Sequence, residues 1–427
     1  MQPFLRYMVK LRLMQNMTDS QQAFINRQFF NLMLFALIFG VIFYDLIDAL
    51  GFSYTDELCV VFVLLLYGHR VAASKAWLFN KAFLITLFIF GFYLVYSFII
   101  QSNTKGAIML DFIIQIKPYL SFFCVYALRP ELSDSQKRML RQLVVLCSLY
   151  VFMVGLTSFA YEDIIEYTFG HRSRIATASS ILAIIYLYGS DYTRMDKYAF
   201  TLILAIGLMS TRSKHFGFFV VSVLLVFYIN RPDKIKLNFR NVIFAVSALA
   251  LTVLAAWEKI HYYFITGGFG SGRSADDLYA RMALYYFATL ILKDFFPFGS
   301  GFASYATHAS GTSYSSIYAK YNMNHMHGLT KTSPAFVADT YYPALAQFGY
   351  AGIVLFFYFW FYLFRKAVRM YLKGFLKESA LVVMMVVFFI IECTSDATLT
   401  HNRGMFMMML LGLVSSEVKT KEENEQA

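Results

Sequence analysis

The chain has 427 residues, of which 59% are hydrophobic and 15% charged; mean hydropathy is +0.55 and the formal net charge +11. A soluble domain is nearer about 45–50% apolar and about 25% charged, so the composition excludes a soluble enzyme, a disordered scaffold and a disulfide-built secreted domain. It also argues against a transmembrane β-barrel, whose strands alternate around a polar lumen. What remains is an all-α polytopic integral membrane protein, with the surplus of cations in its cytoplasmic loops and no nucleic acid as partner.

A spanning helix needs about 20 mostly apolar residues. Twelve segments are candidates in chain order: 28–44, 58–68, 82–104, 107–127, 142–161, 175–190, 198–211, 216–230, 241–257, 340–364, 379–391 and 404–416; apart from 82–104, 107–127, 142–161 and 340–364 they are shorter and need their polar flanks to reach the interface. The segments 82–104, 142–161 and 340–364 carry no charge at all. The fourth, 107–127, reads as broken by Asp111, Lys117 and Pro118. The three crowded into 175–230 and the last two are the weakest, and one of these could be re-entrant.

Basic residues set the orientation. With the N-terminus inside, 24 of the 37 Lys and Arg fall in cytoplasmic segments and 12 in outer ones, with Lys117 inside a span. Twelve spans with both termini cytoplasmic therefore satisfy the charge rule. No small-residue cleavage site precedes the first span, so no removable signal peptide is expected. Residues 1–257 then hold spans one to nine, 258–343 a large external loop, 344–416 the last three spans, and 417–427 a cytoplasmic tail. The loop is rich in Gly, Ser, Tyr and Ala with apolar residues throughout, so it is expected to fold, partly as helix. Cys59, Cys124, Cys147 and Cys393 all sit in apolar stretches and read as small buried hydrophobes.

Several groups could carry chemistry on the outer side. Arg172 and Arg174 open the sixth span, Arg212 sits in the turn Ser210-Thr211-Arg212-Ser213-Lys214-His215, and Arg281 lies in an aromatic helical run. Arginine forks match phosphate oxygens bidentately; the alternative is snorkelling to lipid headgroups. Asp339, at the loop's return to the membrane, is either a proton acceptor or a carboxylate at the N-terminus of the tenth span. His325 and His327, with His308 upstream, could act as a base, but no third ligand at clear spacing suggests a metal, and no phosphate loop, dinucleotide fingerprint or H-E-x-x-H is present. The first outer loop is acidic, with Asp45, Asp48, Asp56 and Glu57. The run Phe295-Phe296-Pro297-Phe298-Gly299-Ser300-Gly301 reads as the stop signal of the Arg281 helix.

Together these residues resemble the O-antigen polymerase and O-antigen ligase superfamily. The shared features are the Arg281-led helix followed by an aromatic-Pro-x-Gly-x-Gly turn, and the step Asp339-Thr340-Tyr341-Tyr342 followed by Gly349-Tyr350-Ala351-Gly352. The turn Thr211-Arg212-Ser213 is also similar, and the resemblance covers roughly residues 170–415. Ligases of this superfamily carry a histidine at the re-entry step; here that position has none, which favours a polymerase. The resemblance implies a GT-C-like glycosyltransferase architecture in a bacterial inner membrane. It implies a metal-independent, cofactor-free transfer between undecaprenyl-diphosphate-linked glycans, with a chain-length regulator protein as partner. Arg212 and Arg281, supported by Arg174 and Arg172, would hold the diphosphates. Asp339 would be the base, with His325 and His327 as substitutes. A ligase-type glycan transferase and a lipid-linked oligosaccharide flippase are the alternatives.

Overall fold

The computed structural model describes residues 19–74, 80–161, 163–228, 261 and 279–425. The expected ninth span, 241–257, and the start of the large loop lie outside them. Among the described residues the chain is all-helical. α1 is Asp19–Phe35, continued by a π-helical stretch Ala36–Ile42; α2 is Tyr44–Ala49, α3 Thr55–Ser74, α4 Lys81–Ile100 and α5 Lys105–Leu128. α6 is Asp134–Thr157, α7 Ile164–Phe169, α8 Arg172–Tyr188, α9 Arg194–Ile206, followed by a 3-10 turn Gly207–Ser210, and α10 Ser213–Tyr228. α11 is Ala280–Asp294, α12 His308–Thr312 and α13 Ser316–Lys320. A 3-10 segment Tyr342–Phe348 leads into α14 Gly349–Leu372, then come α15 Leu376–Glu392 and α16 Asn402–Glu425.

Among the described residues six helices are long and apolar enough to cross a membrane: Ser20–Ile42, Thr55–Ser74, Lys81–Ile100, Lys105–Leu128, Asp134–Thr157 and Tyr342–Leu372. This is the pattern of a multi-pass membrane protein. Ser213–Tyr228 is apolar but shorter. All four cysteines are free and buried, as their apolar settings imply. One sequence expectation needs correcting. The fourth segment is not broken: α5 runs without interruption through Asp111, Lys117 and Pro118, because both charged side chains find partners. α16 continues to Glu425.

The chain divides into two compact units: Met1–Ile85, Lys117–Thr211 and Asn402–Ala427 form one, and Thr86–Ile116 with Arg212–His401 the other. In the first unit, local signals fix the helix starts. Ser133 and Gln136 make a capping box on α6, and Thr193 and Asp196 one on α9. α8 is buried around nearly its whole circumference, and its small residues Ala176, Ala178, Ser179 and Ser180 allow that. Ser179 Oγ donates to the Ile203 carbonyl at 2.7 Å, joining α8 to α9. α16 crosses α5 just as closely: a Cβ on Gly412 would lie 2.7 Å from the Phe122 carbonyl oxygen.

Charges in the first unit are paired. Lys117 bonds Asp56 and, at 2.7 Å, Glu57 at the start of α3. Asp45 binds Arg174 and, at 2.9 Å, Arg403. Isolated charges at such positions are costly, so a partner is what makes them tolerable. The acidic first loop therefore supplies counter-ions. Gly170 makes room for one pair: it takes φ +64, and a Cβ there would sit 2.6 Å from Arg174 Nη1.

Candidate functional site in the second unit

The second unit is organised around a buried strap, residues 299–307. Four of its residues take positive φ: Gly299, Gly301, Ala303 and Ala306. A buried non-helical strand of backbone must find a partner for every N–H, and this one does. Gly299 N–H donates to Phe295 O, Ser300 to Ala346 O, Gly301 to Gln347 O and Phe302 to Ser97 Oγ. Ala303 N–H donates to Asp111 Oδ2 at 2.6 Å, and Ser304 and Tyr305 both donate to Gln347 Oε1. Ala306 N–H reaches Tyr318 Oη and Thr307 N–H reaches Ser310 Oγ. Asp111 is thus the acceptor of a strap amide nearly 200 residues away.

The strap and the 3-10 segment meet backbone to backbone through two glycines. Gly349 has φ 62 and ψ −167, a conformation essentially reserved for glycine. A Cβ on Gly349 would lie 2.2 Å from Pro297 O, and one on Gly299 would lie 2.2 Å from Gly349 N. The two short motifs singled out in the sequence therefore dock on each other. The Pro297-to-Gly301 run does more than end α11, which stops at Asp294. Tyr93 donates from within α4 to the Phe348 carbonyl at 2.6 Å. Tyr93 is seven residues from Ile100, or about 10 Å along a helix, so the 3-10 segment lies well below the end of α4. Irregular backbone packed along an apolar helix is tolerated where protein buries it.

The charged groups sit around this frame. Arg281 projects from the first turn of α11, and its Nε and Nη2 both donate to Asp339 Oδ2, at 2.9 and 2.5 Å. The two side chains are 24% and 30% exposed. The 3-10 segment that follows has Tyr341 at its N-cap and no side-chain cap hydrogen bond, so Asp339's hydrogen bonds from a side chain are those from Arg281. One turn along α11, Tyr285 donates to the Thr394 carbonyl at 2.8 Å. Tyr342 donates to the Ile390 carbonyl at 2.8 Å. Both anchor Arg281 and Asp339 to the end of α15. Burial, softened by the Arg281 charge, pushes the Tyr285 phenol above its ordinary value, so it is a neutral donor.

At the same end of α15, Lys214 from α10 lies 2.7 Å from Glu392 and 3.4 Å from Asp396. Burial pushes the Asp396 carboxyl up, but Lys214, His401 and hydrogen bonds from Thr398 and Lys214 more than offset this and hold it below the usual range. Lys214, Glu392 and Asp396 were not singled out as functional from the sequence. The available signal was an ionisable residue at the edge of an apolar run, which is by default a functional position.

The expected site residues separate by unit. Arg172 and Arg174 belong to the first, where Arg174 is committed to Asp45. Arg212, Arg281, His325, His327 and Asp339 belong to the second. Arg212 begins the short stretch that delivers Lys214 to Glu392. Arg281 and Asp339 are in direct contact. His325 and His327 are exposed on the loop surface, with the His327 ring 5.8 Å from that of Phe336. Among the described residues no group of three or more His, Cys, Asp or Glu could hold a metal ion. No family model matches the chain, and no curated protein matches it.

Proposed function

We propose that the protein is a polysaccharide polymerase of the O-antigen or capsule type, with about twelve spans and a GT-C-like architecture, in the inner membrane of a bacterium. It joins undecaprenyl-diphosphate-linked repeat units on the outer face, with both termini cytoplasmic. The observation that carries this reading is the Arg281 fork, partly exposed and already engaged by a carboxylate. A fixed guanidinium at such a place suits an anionic headgroup whose charge grows during reaction.

In the proposed reaction an acceptor hydroxyl attacks the anomeric carbon of the donor glycan. The new C–O bond forms as the bond from that carbon to the diphosphate oxygen breaks, and the electron pair leaves with the lipid diphosphate. Arg281 and Arg212 stabilise the leaving charge, so the reading calls for no metal ion. A carboxylate takes the hydroxyl proton. Asp339 has one oxygen committed to Arg281, which makes the pair one assembly. A chain-length regulator is the expected protein partner.

The test is a strain lacking the gene, complemented at matched expression with wild type, Arg212→Ala or Arg281→Ala, and its surface glycan run on a gel. Single-repeat glycan on its final acceptor in the deletion and both variants supports a polymerase. Lipid-linked polymer accumulating outside would make the protein a ligase. Lipid-linked single repeats trapped inside would make it a flippase.

A further inference from the structure

The Arg281 fork is not empty in this structure. Its Nε–H and Nη2–H converge on one oxygen of Asp339. The backbone on both sides of that contact is anchored. Tyr341 Oη, two residues after Asp339, bonds Gln115 at 3.2 Å. Asp339 N–H itself donates to Phe336 O. α11 is fixed by Tyr305, whose hydroxyl donates to the Leu284 carbonyl at 2.7 Å, and by Tyr285. The carboxylate is therefore presented to the fork at an effective concentration of at least the millimolar order. Carboxylate and phosphoryl oxygens compete for the same pair of N–H donors, because the fork matches both.

Resting on the lipid-diphosphate reading above, we propose that Asp339 is the ligand's built-in competitor, filling the Arg281 fork in the empty site and thereby selecting a diphosphate over a monophosphate. Binding is then an exchange of one anion for another. A lipid monophosphate brings a single phosphoryl group, which must displace a tethered carboxylate and then remain beside it. A lipid diphosphate brings a second phosphoryl group, further acceptor oxygens and more charge, so it wins the exchange. Without the carboxylate's charge the fork takes either ligand. Asp339 is thus a specificity-determining residue.

The test uses the purified full-length protein in detergent as wild type, Asp339→Asn, Asp339→Ala and Arg281→Ala, with gel filtration to confirm folding. Binding of geranyl diphosphate, geranyl monophosphate and inorganic pyrophosphate is measured by calorimetry at low salt. Wild type is expected to prefer geranyl diphosphate over the monophosphate by about tenfold or more, an ordinary coupling magnitude. Both Asp339 variants should tighten the monophosphate by about tenfold and the diphosphate by less, so that the preference collapses. Arg281→Ala should weaken both. If Arg281→Ala leaves diphosphate binding intact, the lipid-diphosphate reading itself fails. If it weakens binding but the Asp339 variants keep the wild-type preference or bind more weakly, the competitor role is overturned and Asp339 merely orients Arg281. Pyrophosphate binding as tightly as geranyl diphosphate would assign the fork to a free anion and overturn selection of a lipid ligand.

Discussion

Gly299→Ala tests whether the two glycine motifs truly interlock. The added Cβ would lie 2.2 Å from Gly349 N, 2.4 Å from Ala346 O and 2.5 Å from Gln347 O. All three are backbone atoms, so no side chain can swing away. The residue also has φ +80, where an L side chain costs about 1–2 kcal/mol. Moving the strap to relieve the overlap strains the Ser300-to-Ala346 and Gly301-to-Gln347 hydrogen bonds, each worth about 1 kcal/mol. The total is about 4 kcal/mol, which for a unit of this size corresponds to roughly a 10 °C loss of thermal midpoint. The control is Gly91→Ala in α4, where a Cβ meets nothing within 4 Å and helix propensity improves by about 1 kcal/mol. A thiol-reactive fluorophore reports unfolding directly, since all four cysteines are buried. Equal midpoints for the two variants would refute the backbone docking.

Asp111→Ala should destabilise by about 1–3 kcal/mol, because the Ala303 amide loses its buried acceptor; Asp111→Asn, which keeps an oxygen, should cost less in the same thermal assay. Lys214→Met removes the cation that Glu392 and Asp396 share; a loss of about 3–5 kcal/mol is expected at neutral pH, and adding Glu392→Gln should restore part of it. Gly170→Ala should displace Arg174 from Asp45 and lower the midpoint, whereas equal stability would mean the pair contributes little. The Asp396 carboxyl is held below its ordinary value, with burial outweighed by Lys214 and His401. A depressed folded value means that its contribution is present above the ordinary carboxylate range and lost as pH falls through the folded value. The thermal midpoint should therefore fall on the acid side, and Asp396→Asn should flatten that limb.

Much of the fold follows from local pattern. Apolar runs near 20 residues found the long helices, and the capping residues at 133 and 193 explain where α6 and α9 begin. The two glycine motifs were visible, and so were Arg281 and Asp339. What the sequence concealed was pairing across distance. Asp111 and Lys117 looked like breaks in a span because their partners, Ala303 and Asp56, lie far away along the chain. Asp339 reads from the sequence as a proton acceptor or a carboxylate at a helix N-terminus, and the cation it faces is 58 positions earlier. Arg174 looked like a phosphate ligand, yet Asp45 from the first loop takes it. Local periodicity reports which face is apolar and carries no information about which charge meets which.

The most direct test of glycan polymerisation is reconstitution. Purified protein in liposomes would be supplied with an undecaprenyl-diphosphate-linked repeat unit, and both glycan length and released undecaprenyl diphosphate would be followed. The account predicts a ladder of polymer, one lipid diphosphate released per bond formed, and a rate lower by about 100-fold or more in Arg281→Ala. A folded protein that releases no lipid diphosphate and forms no polymer, or an Arg281→Ala variant as fast as wild type, would contradict it.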